Sequence, residues 1–169
     1  MKAKIVGLLA ETPIHPGSGQ DTGFVDLPVA RESATDYPVI VGSSLKGALR
    51  DRARQEQFEN IESIFGKQDD AGQLLVGDAR LLLLPVRSLT RSYCWVTCPH
   101  LLERLSRDLG RAGKRIDGPS SPRPDQGQFL GLTTNDSSLF LEERQFSRGG
   151  DIPTDVYQQL RELFKHGET

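Results

Sequence analysis

A long glycine-rich segment constrains this chain more than any other feature of its sequence. Residues 13–32 carry Gly17, Gly19 and Gly23, and the acid Asp26 lies further along the same segment. Loops of this length are uncommon inside compact domains, and those that occur usually carry function. Glycine also lets the backbone approach a ligand closely. We therefore expect residues 13–32 to form a functional loop.

A basic helix follows this loop after only a few residues. Residues 38–41 are predicted to be extended, Ser43 to be an N-cap, and residues 44–57 to be helical. The inner face of the helix holds Leu45, Ala48 and Leu49, and its outer face holds Lys46, Arg50 and Arg54. A helix N-terminus offers unpaired N–H groups that suit a phosphate. The loop and the helix together indicate a polyanionic partner, and nucleic acid fits best.

The charge distribution leaves two interpretations open. The net charge is −2 and the sequence pI is about 5.9, which argues against a free-standing, non-specific nucleic-acid binder. Residues 80–123, however, hold nine basic and three acidic side chains. This excess is either ordinary solvated surface or a basic face that binds RNA within an assembly.

Further patterns predict several strands and helices. Strands are expected over residues 2–12, 74–84, 93–96 and 138–142, with a helical turn over residues 61–65. A helix capped by Thr97, with Pro99 in its first turn, is predicted to bury Leu101, Leu102, Leu105 and Leu109 and to expose Arg104, Arg107 and Arg111. A last helix, capped by Thr154 and ended by Gly167, is predicted to bury Val156, Leu160, Leu163 and Phe164.

These elements predict an α+β fold. Their order suits a sheet with helices on one face, as in ferredoxin-like and RNA-recognition folds. The length of 169 residues fits one domain over residues 1–169. A turn-rich stretch near residues 117–128 is predicted to be a mobile loop within it. The C-terminus is expected to leave the ferredoxin-like unit incomplete, because that unit needs another strand there.

The composition argues against a membrane protein, a secreted protein and a zinc-binding protein. The longest apolar run, residues 81–84, is too short to cross a bilayer, and the N-terminus has no signal-peptide stretch, so we expect a cytoplasmic protein without a membrane partner. Cys94 and Cys98 have no second pair and do not match a zinc knuckle. We expect them to be buried or half-buried thiols.

Several motifs together resemble one protein family. Residues 14–19 (Ile-His-Pro-Gly-Ser-Gly), residues 25–32 and residues 42–50 (Gly-Ser-Ser-Leu-Lys-Gly-Ala-Leu-Arg) resemble the RAMP superfamily of CRISPR proteins. Residues 77–88 and 95–104 narrow the resemblance to backbone subunits of the Cmr-type, type III-B effector complex. Such subunits are longer than this chain, which resembles their N-terminal portion.

The resemblance implies an activity and a set of partners. Copies of such a subunit stack on one another as a helical filament along a CRISPR guide RNA, and other Cmr subunits are further partners. Each copy contributes an acid that cleaves the paired target RNA at regular intervals, with a divalent metal ion, Mg or Mn. By position, Asp26 matches this acid and a metal ligand, and His15 matches a second site residue. The positions that match RNA-binding residues are Lys46, Arg50, Gly17, Ser18, Gly19, Ser43 and Ser44.

The residues by themselves are also consistent with functions other than RNA cleavage. RNA cleavage needs an activated 2′-hydroxyl, in-line geometry and charge stabilisation, and one carboxylate fills only one of these roles. Asp26 could instead bond to backbone N–H groups of its loop, and His15 could pack at the end of a strand. We expect Asp78 to be structural. The alternative functions are a non-catalytic RNA-binding scaffold and a truncated chain that neither oligomerises nor binds RNA.

Overall fold

The computed structural model of the chain describes residues 2–17, 28–113, 120–132 and 136–164. The chain divides into two compact units. One unit contains residues 10–81, and the other contains residues 1–9 together with residues 82–169. Both units mix helices with small sheets, so the architecture is α+β as predicted. The expectation of one domain over residues 1–169 stays a prediction.

In the unit of residues 10–81, the described residues (10–17 and 28–81) form two helices and four short strands. Its elements are β1 (Val39–Ile40), α1 (Gly42–Gln55), α2 (Ile61–Phe65), β2 (Gly66–Lys67), β3 (Asp70–Ala71) and β4 (Ala79–Arg80). Strand β1 pairs antiparallel with β4, and β2 pairs antiparallel with β3. The predicted helical turn at residues 61–65 and the extended stretch before α1 are therefore confirmed.

Backbone pairing extends β1 into a wider array. Gly17 forms an antiparallel bridge with Val29, and Arg31 forms one with Pro38. The Ala30 N–H donates to the Pro16 carbonyl oxygen at 2.8 Å. Because the Val39 N–H donates to the Ala30 carbonyl oxygen at 2.9 Å, residues 16–17, residues 29–31, β1 and β4 follow one another across the array. Ala30 and Val39 are buried within it.

Helix α1 begins two residues earlier than predicted, and its cap comes from elsewhere in the chain. Val41 is the N-cap residue, and no side chain at that position forms a capping hydrogen bond. Instead, the Gly42 N–H donates to Asp78 Oδ1 at 2.8 Å. The prediction that Ser43 is the N-cap is wrong, because the pairing of β1 with β4 brings Asp78 to the helix end. The structural role expected for Asp78 is confirmed.

Removing the Asp78 carboxylate should weaken this unit. We expect Asp78→Ala to lower the free energy of unfolding by about 1 kcal/mol, the usual cost of losing a helix cap. Asp78→Asn, which keeps an acceptor oxygen, should lose less. The matched control is Asp70→Ala, because Asp70 is exposed on β3. Urea unfolding measures all three variants, and equal stabilities of the Asp78→Ala and Asp70→Ala proteins would contradict the assignment.

Where the structure describes it, the second unit contains two longer helices and five strands. Its elements are β5 (Leu84–Arg87), β6 (Tyr93–Val96), α3 (Pro99–Arg111), β7 (Gln128–Gly131), β8 (Ser138–Leu141), β9 (Arg144–Asp151) and α4 (Thr154–Phe164). Strands β5 and β6 form an antiparallel ribbon. The other strands form a sheet in the order β7-β9-β8, in which β7 and β9 are parallel. A bridge between Ser88 and Leu141 joins the ribbon to β8.

Helix α3 supplies most of the core of this unit. The predicted stripe of Leu101, Leu102, Leu105 and Leu109 is buried, and so is Val156 of α4. Arg104 is also buried, with 7% of its surface exposed, so its predicted exposure is wrong. Its position, three residues after Leu101, lies inside the buried stripe. Arg107 and Arg111 are exposed as predicted.

The predicted cap of α3 is also corrected. The N-cap residue is Cys98 and not Thr97, and Pro99 is the first helical residue as predicted. The buried Thr97 Oγ1 has no hydrogen-bond partner among the described residues. Cys94 and Cys98 are free and half-buried, which confirms the expected thiols.

Two of the predicted strands do not form as expected. Residues 2–12 belong to no strand. At Gly7 a Cβ atom would lie 2.7 Å from the Leu163 carbonyl oxygen, so this part of the segment lies against α4. Within residues 74–84 only β4 and the first residue of β5 pair with a strand. The Leu74 N–H donates instead to the Ile64 carbonyl oxygen of α2 at 2.9 Å.

The turn-rich stretch is tied to neighbouring helices where the structure describes it. Ser120 donates from its N–H to Asp155 Oδ2 at 2.7 Å, and Arg123 forms an ion pair with Glu103 at 2.7 Å. The Ser120 N–H holds the pKa of the Asp155 carboxyl below its ordinary value. Residues 120–127 contain no helix or strand, and the predicted mobility of residues 117–128 stays a prediction. None of the helices in the described ranges is long and apolar enough to cross a bilayer.

Candidate functional site

The structure describes the base of the glycine-rich loop but not its centre. Asp26, Ser18 and Gly19 lie outside the described residues, as does Gly23. The segment that carries them lies between Gly17 and Val29 in the sequence, and these two residues form the bridge described above. The two ends of the segment are therefore held beside each other, next to the residues that lead into α1.

His15 lies just before this bridge and is exposed. The sequence left open whether it packs at the end of a strand. Its exposure, and the lack of a strand over residues 2–12, argue against that alternative. His15 precedes the segment that contains Asp26 by only a few residues, and Pro16 and Gly17 anchor it to the array.

The basic side chains of α1 are not on a fully solvated face. Lys46 and Arg50 are half-buried, whereas Ala48 and Leu49 are exposed, so the predicted inner and outer faces are wrong at these positions. Leu45 is half-buried and Arg54 is exposed, as predicted. Long basic side chains can bury their stems and keep their charged ends near water, which the sequence pattern alone does not reveal.

Arg50 differs from the other basic side chains of α1 because part of its guanidinium group is buried. Its Nε atom is buried and has no hydrogen-bond partner among the described residues. A buried donor without an acceptor costs free energy, on the order of 1–3 kcal/mol. An anion that reached this guanidinium would supply the acceptor.

At the N-terminus of α1, one backbone N–H already donates to a carboxylate of the protein. The Asp78 carboxylate accepts the Gly42 N–H, while Ser43 and Ser44 are exposed on the first turn. A carboxylate at a helix N-terminus is stabilised by the helix dipole. Any further anion at this turn would therefore meet the hydroxyl groups of Ser43 and Ser44 together with Lys46, and a phosphate would also be repelled by Asp78.

The two glycines of α1 lie in opposite environments. A Cβ atom at Gly42 would lie 2.5 Å from the Val76 carbonyl oxygen, whereas one at Gly47 would meet nothing within 4 Å. Gly42 is thus required by close backbone packing. At Gly47, no packing contact among the described residues requires a glycine, and the helix surface there is open.

Alanine at these two positions should change stability in opposite directions. We expect Gly47→Ala to raise the free energy of unfolding by about 1 kcal/mol, because alanine favours an exposed helix interior over glycine. Gly42→Ala should lower it by about 1–3 kcal/mol, the usual cost of overpacking. Urea unfolding of the two variants measures both effects. Stabilisation by Gly42→Ala would contradict the close contact with Val76.

The described residues do not form a metal site by themselves. No group of three or more His, Cys, Asp or Glu side chains that could hold an ion is found where the structure describes the chain. At the predicted site they supply His15, while the expected carboxylate ligand, Asp26, lies outside them. Divalent metal ions such as Mg²⁺ prefer oxygen ligands, so a carboxylate such as that of Asp26 would be needed to hold one here.

Comparison with known proteins defines the class of this protein. The model of the RAMP superfamily matches residues 8–165. Since this match covers nearly the whole chain, the chain belongs to the RAMP superfamily.

Particular relatives narrow the comparison. The chain is 48% identical over 152 residues to a Pyrococcus furiosus protein named CRISPR system Cmr endoribonuclease Cmr4, a match that covers 85% of this chain and 52% of that protein. It also matches the crystal structure of oligomeric Cmr4 from Pyrococcus furiosus at 36% identity with a TM-score of 0.74, covering 92% of this chain and 58% of that one. The chain therefore spans about half the length of these relatives.

A more distant structure shares the fold. A cryo-EM structure of the Type III-B Cmr-beta complex bound to cognate target RNA contains a chain that matches at 22% identity with a TM-score of 0.62. The match covers 83% of this chain and 57% of that one. At this identity the likeness concerns the fold alone.

Proposed function

We propose that this chain is part of a backbone subunit of a type III-B, RNA-guided CRISPR effector complex, which binds guide RNA and cleaves the paired target RNA. The observation that carries this proposal is the 48% identity over 152 residues to a protein named as a Cmr endoribonuclease. Its partners are guide RNA, target RNA, other Cmr subunits and copies of itself in a helical filament. It acts in the cytoplasm.

The structure supports a guide-RNA contact along the first half of α1. Ser43 and Ser44 are exposed on its first turn, and Lys46 and Arg50, which follow one turn apart, are half-buried. The buried Nε of Arg50 lacks an acceptor among the described residues, and an RNA phosphate oxygen would provide one. Gly17, Ser18 and Gly19 belong to the same proposed surface, because Gly17 lies in the array that leads into α1.

Cleavage is assigned to Asp26 with His15. A base removes the proton of a 2′-hydroxyl, the 2′-oxygen attacks the adjacent phosphorus, and the bond to the 5′-oxygen breaks as that oxygen takes up a proton. Asp26 would accept the proton of the 2′-hydroxyl or orient that hydroxyl. His15, which is exposed just before the loop, would donate the proton that the 5′-oxygen takes up. The products would carry a 2′,3′-cyclic phosphate and a 5′-hydroxyl end. If a divalent ion, Mg or Mn, takes part, Asp26 would instead be one of its ligands, and the ion would stabilise charge on the phosphate and help to activate the 2′-hydroxyl.

Together with this function we propose a more specific fold assignment. The small sheets and helices of the chain would belong to a ferredoxin-like RAMP domain with a long glycine-rich loop. The pairing of Gly17 with Val29 supports such a loop, because it closes the segment between them. The matched segment covers 52% of the Pyrococcus furiosus relative, so the comparison concerns about half of that protein.

One alternative stays open. If the Asp26 carboxylate bonds to backbone N–H groups of its own loop, the subunit would position the RNA duplex without cleaving it. The two functions differ in a single measurable property, the cutting of target RNA.

The test is cleavage by an assembled complex. We expect a complex that contains this chain, the other Cmr subunits and a guide RNA to cut complementary RNA at regular intervals when Mg²⁺ or Mn²⁺ is present. Chelation by EDTA should abolish cutting and spare target binding. The isolated 169-residue chain should cleave poorly, because catalysis needs the phosphate held in line.

The control is a target RNA with no complementarity to the guide. Intact complementary RNA after prolonged incubation with metal, together with normal binding, would favour the scaffold. Cutting that persists in EDTA would contradict the metal requirement and leave the cleavage assignment standing.

A further inference from the structure

The β5–β6 ribbon carries two exposed aromatic rings that neither the core nor the proposed cleavage site uses. Tyr93 and Trp95 expose 53% and 45% of their surfaces. Their ring centroids lie 5.8 Å apart at an interplanar angle of 87°, so they contact each other edge to face. In this arrangement at least one ring keeps a face available to a partner.

The register of the ribbon places four residues on one face. Tyr93 is opposite Arg87, and Trp95 is opposite Pro85. These four residues are all exposed, while on the other face Val86, Cys94 and Val96 are half-buried and Leu84 is exposed. Antiparallel sheets usually turn polar residues toward water, so a solvent face made of two aromatics, a proline and an arginine is unusual.

The charge around this face indicates what would cover it. Residues 82–102 contain no Asp or Glu, and they include Arg87 and Arg91. Arg91 forms an ion pair with Asp136 at 3.1 Å, whereas the exposed Arg87 forms none within the described residues, although the backbone of Glu142 lies next to it. A face with two aromatic rings and an arginine without an ion pair complements a partner that combines flat rings with negative charge.

We propose that the exposed face of the β5–β6 ribbon binds single-stranded RNA by stacking unpaired bases on Trp95 and Tyr93, with Arg87 contacting the RNA backbone. Aromatic side chains bind bases in this sequence-tolerant way because every base has a flat face, and each stacked base contributes about 1–3 kcal/mol. This surface is additional to the residues proposed for cleavage and guide binding, and it does not depend on their roles.

The sequence offers a direct probe of this contact. Trp95 is the single tryptophan of the chain, so tryptophan fluorescence reports on this face alone. We expect a 12-residue oligoadenylate RNA to quench Trp95 fluorescence in the full 169-residue chain at low salt. An abasic ribose-phosphate chain of the same length should quench little, because it carries the charge without the bases.

Variants separate stacking from charge. Tyr93→Leu keeps the fluorescent residue and should weaken oligoadenylate binding about tenfold, while Tyr93→Phe should bind like the parent. The matched control is Tyr157→Leu, because Tyr157 is an exposed tyrosine of α4 and should not affect binding. Arg87→Gln should weaken binding and reduce its salt dependence.

The opposite results would overturn the proposal. These are no quenching by oligoadenylate, equal quenching by the abasic chain, or equal affinity of the Tyr93→Leu and parent proteins. A Trp95 signal that changes with protein concentration, and is unaffected by RNA, would assign the face to contacts between copies. If Tyr93→Leu does not fold, as judged by circular dichroism, the comparison of oligoadenylate with the abasic chain decides. Since none of these measurements involves cleavage, failure here leaves the proposed function untouched.

Discussion

Replacing Asp26 with alanine should abolish target-RNA cleavage by the assembled complex while leaving target binding intact. The change removes the proposed catalytic carboxylate without adding bulk, and loss of such a group typically costs about 10²–10⁴-fold in rate. Binding should persist because pairing with the guide supplies it, as in other RNA-guided systems. Single-turnover cleavage of labelled target, with binding measured in parallel, tests both halves of this expectation.

The loop itself provides the control for this experiment. Asp21 lies in the same glycine-rich segment, five residues before Asp26, so Asp21→Ala removes an equal charge from the same loop. We expect the Asp21→Ala complex to cleave like the parent complex. Undiminished cleavage by the Asp26→Ala complex would remove Asp26 from the reaction. Equal loss in both variants would indicate a general effect of loop charge.

Reversing the charges of Lys46 and Arg50 should give the second large effect, a loss of guide-RNA binding. The double change to glutamate alters the charge of one half-buried face of α1 by four units. If each residue contacts one phosphate, the slope of log affinity against log salt should decrease by about 1.4 for single-stranded RNA. Guide-RNA affinity at several salt concentrations measures both the loss and the change of slope.

A second double variant controls for net charge. Arg52→Glu with Lys67→Glu makes the same four-unit change at two exposed residues of the same unit. This protein should bind guide RNA more weakly only through the general field, so its affinity should exceed that of the first variant. Because Lys46 and Arg50 are half-buried, thermal unfolding must confirm that the first variant is folded. Equal affinities and slopes for the two variants would mean that α1 does not face RNA.

The local sequence predicted elements wherever short-range patterns decide the structure. The stripe of Leu101, Leu102, Leu105 and Leu109 defines a helix that buries one side, and the structure has that helix. The alternation at residues 93–96 likewise predicts the strand that forms. Motif resemblance went further and indicated the family, which the match over residues 8–165 establishes.

Tertiary structure decided the features that depend on distant residues. The cap of α1 is a carboxylate 36 positions away, and no pattern around Ser43 reveals that Asp78 accepts the Gly42 N–H. Residues 2–12 have strand propensity but belong to no strand, because a strand needs a neighbour to pair with and propensity does not supply one.

At the candidate site, too, the sequence and the tertiary structure determine different features. The sequence by itself determined which chemical groups the chain carries, namely the glycines, Asp26, His15 and the basic residues of α1. Only the tertiary structure decided that Gly17 and Val29 pair at the base of the loop and that Lys46 and Arg50 are half-buried. Burial and pairing depend on which segments come together in space, and helical spacing alone assigns a face without saying what covers it.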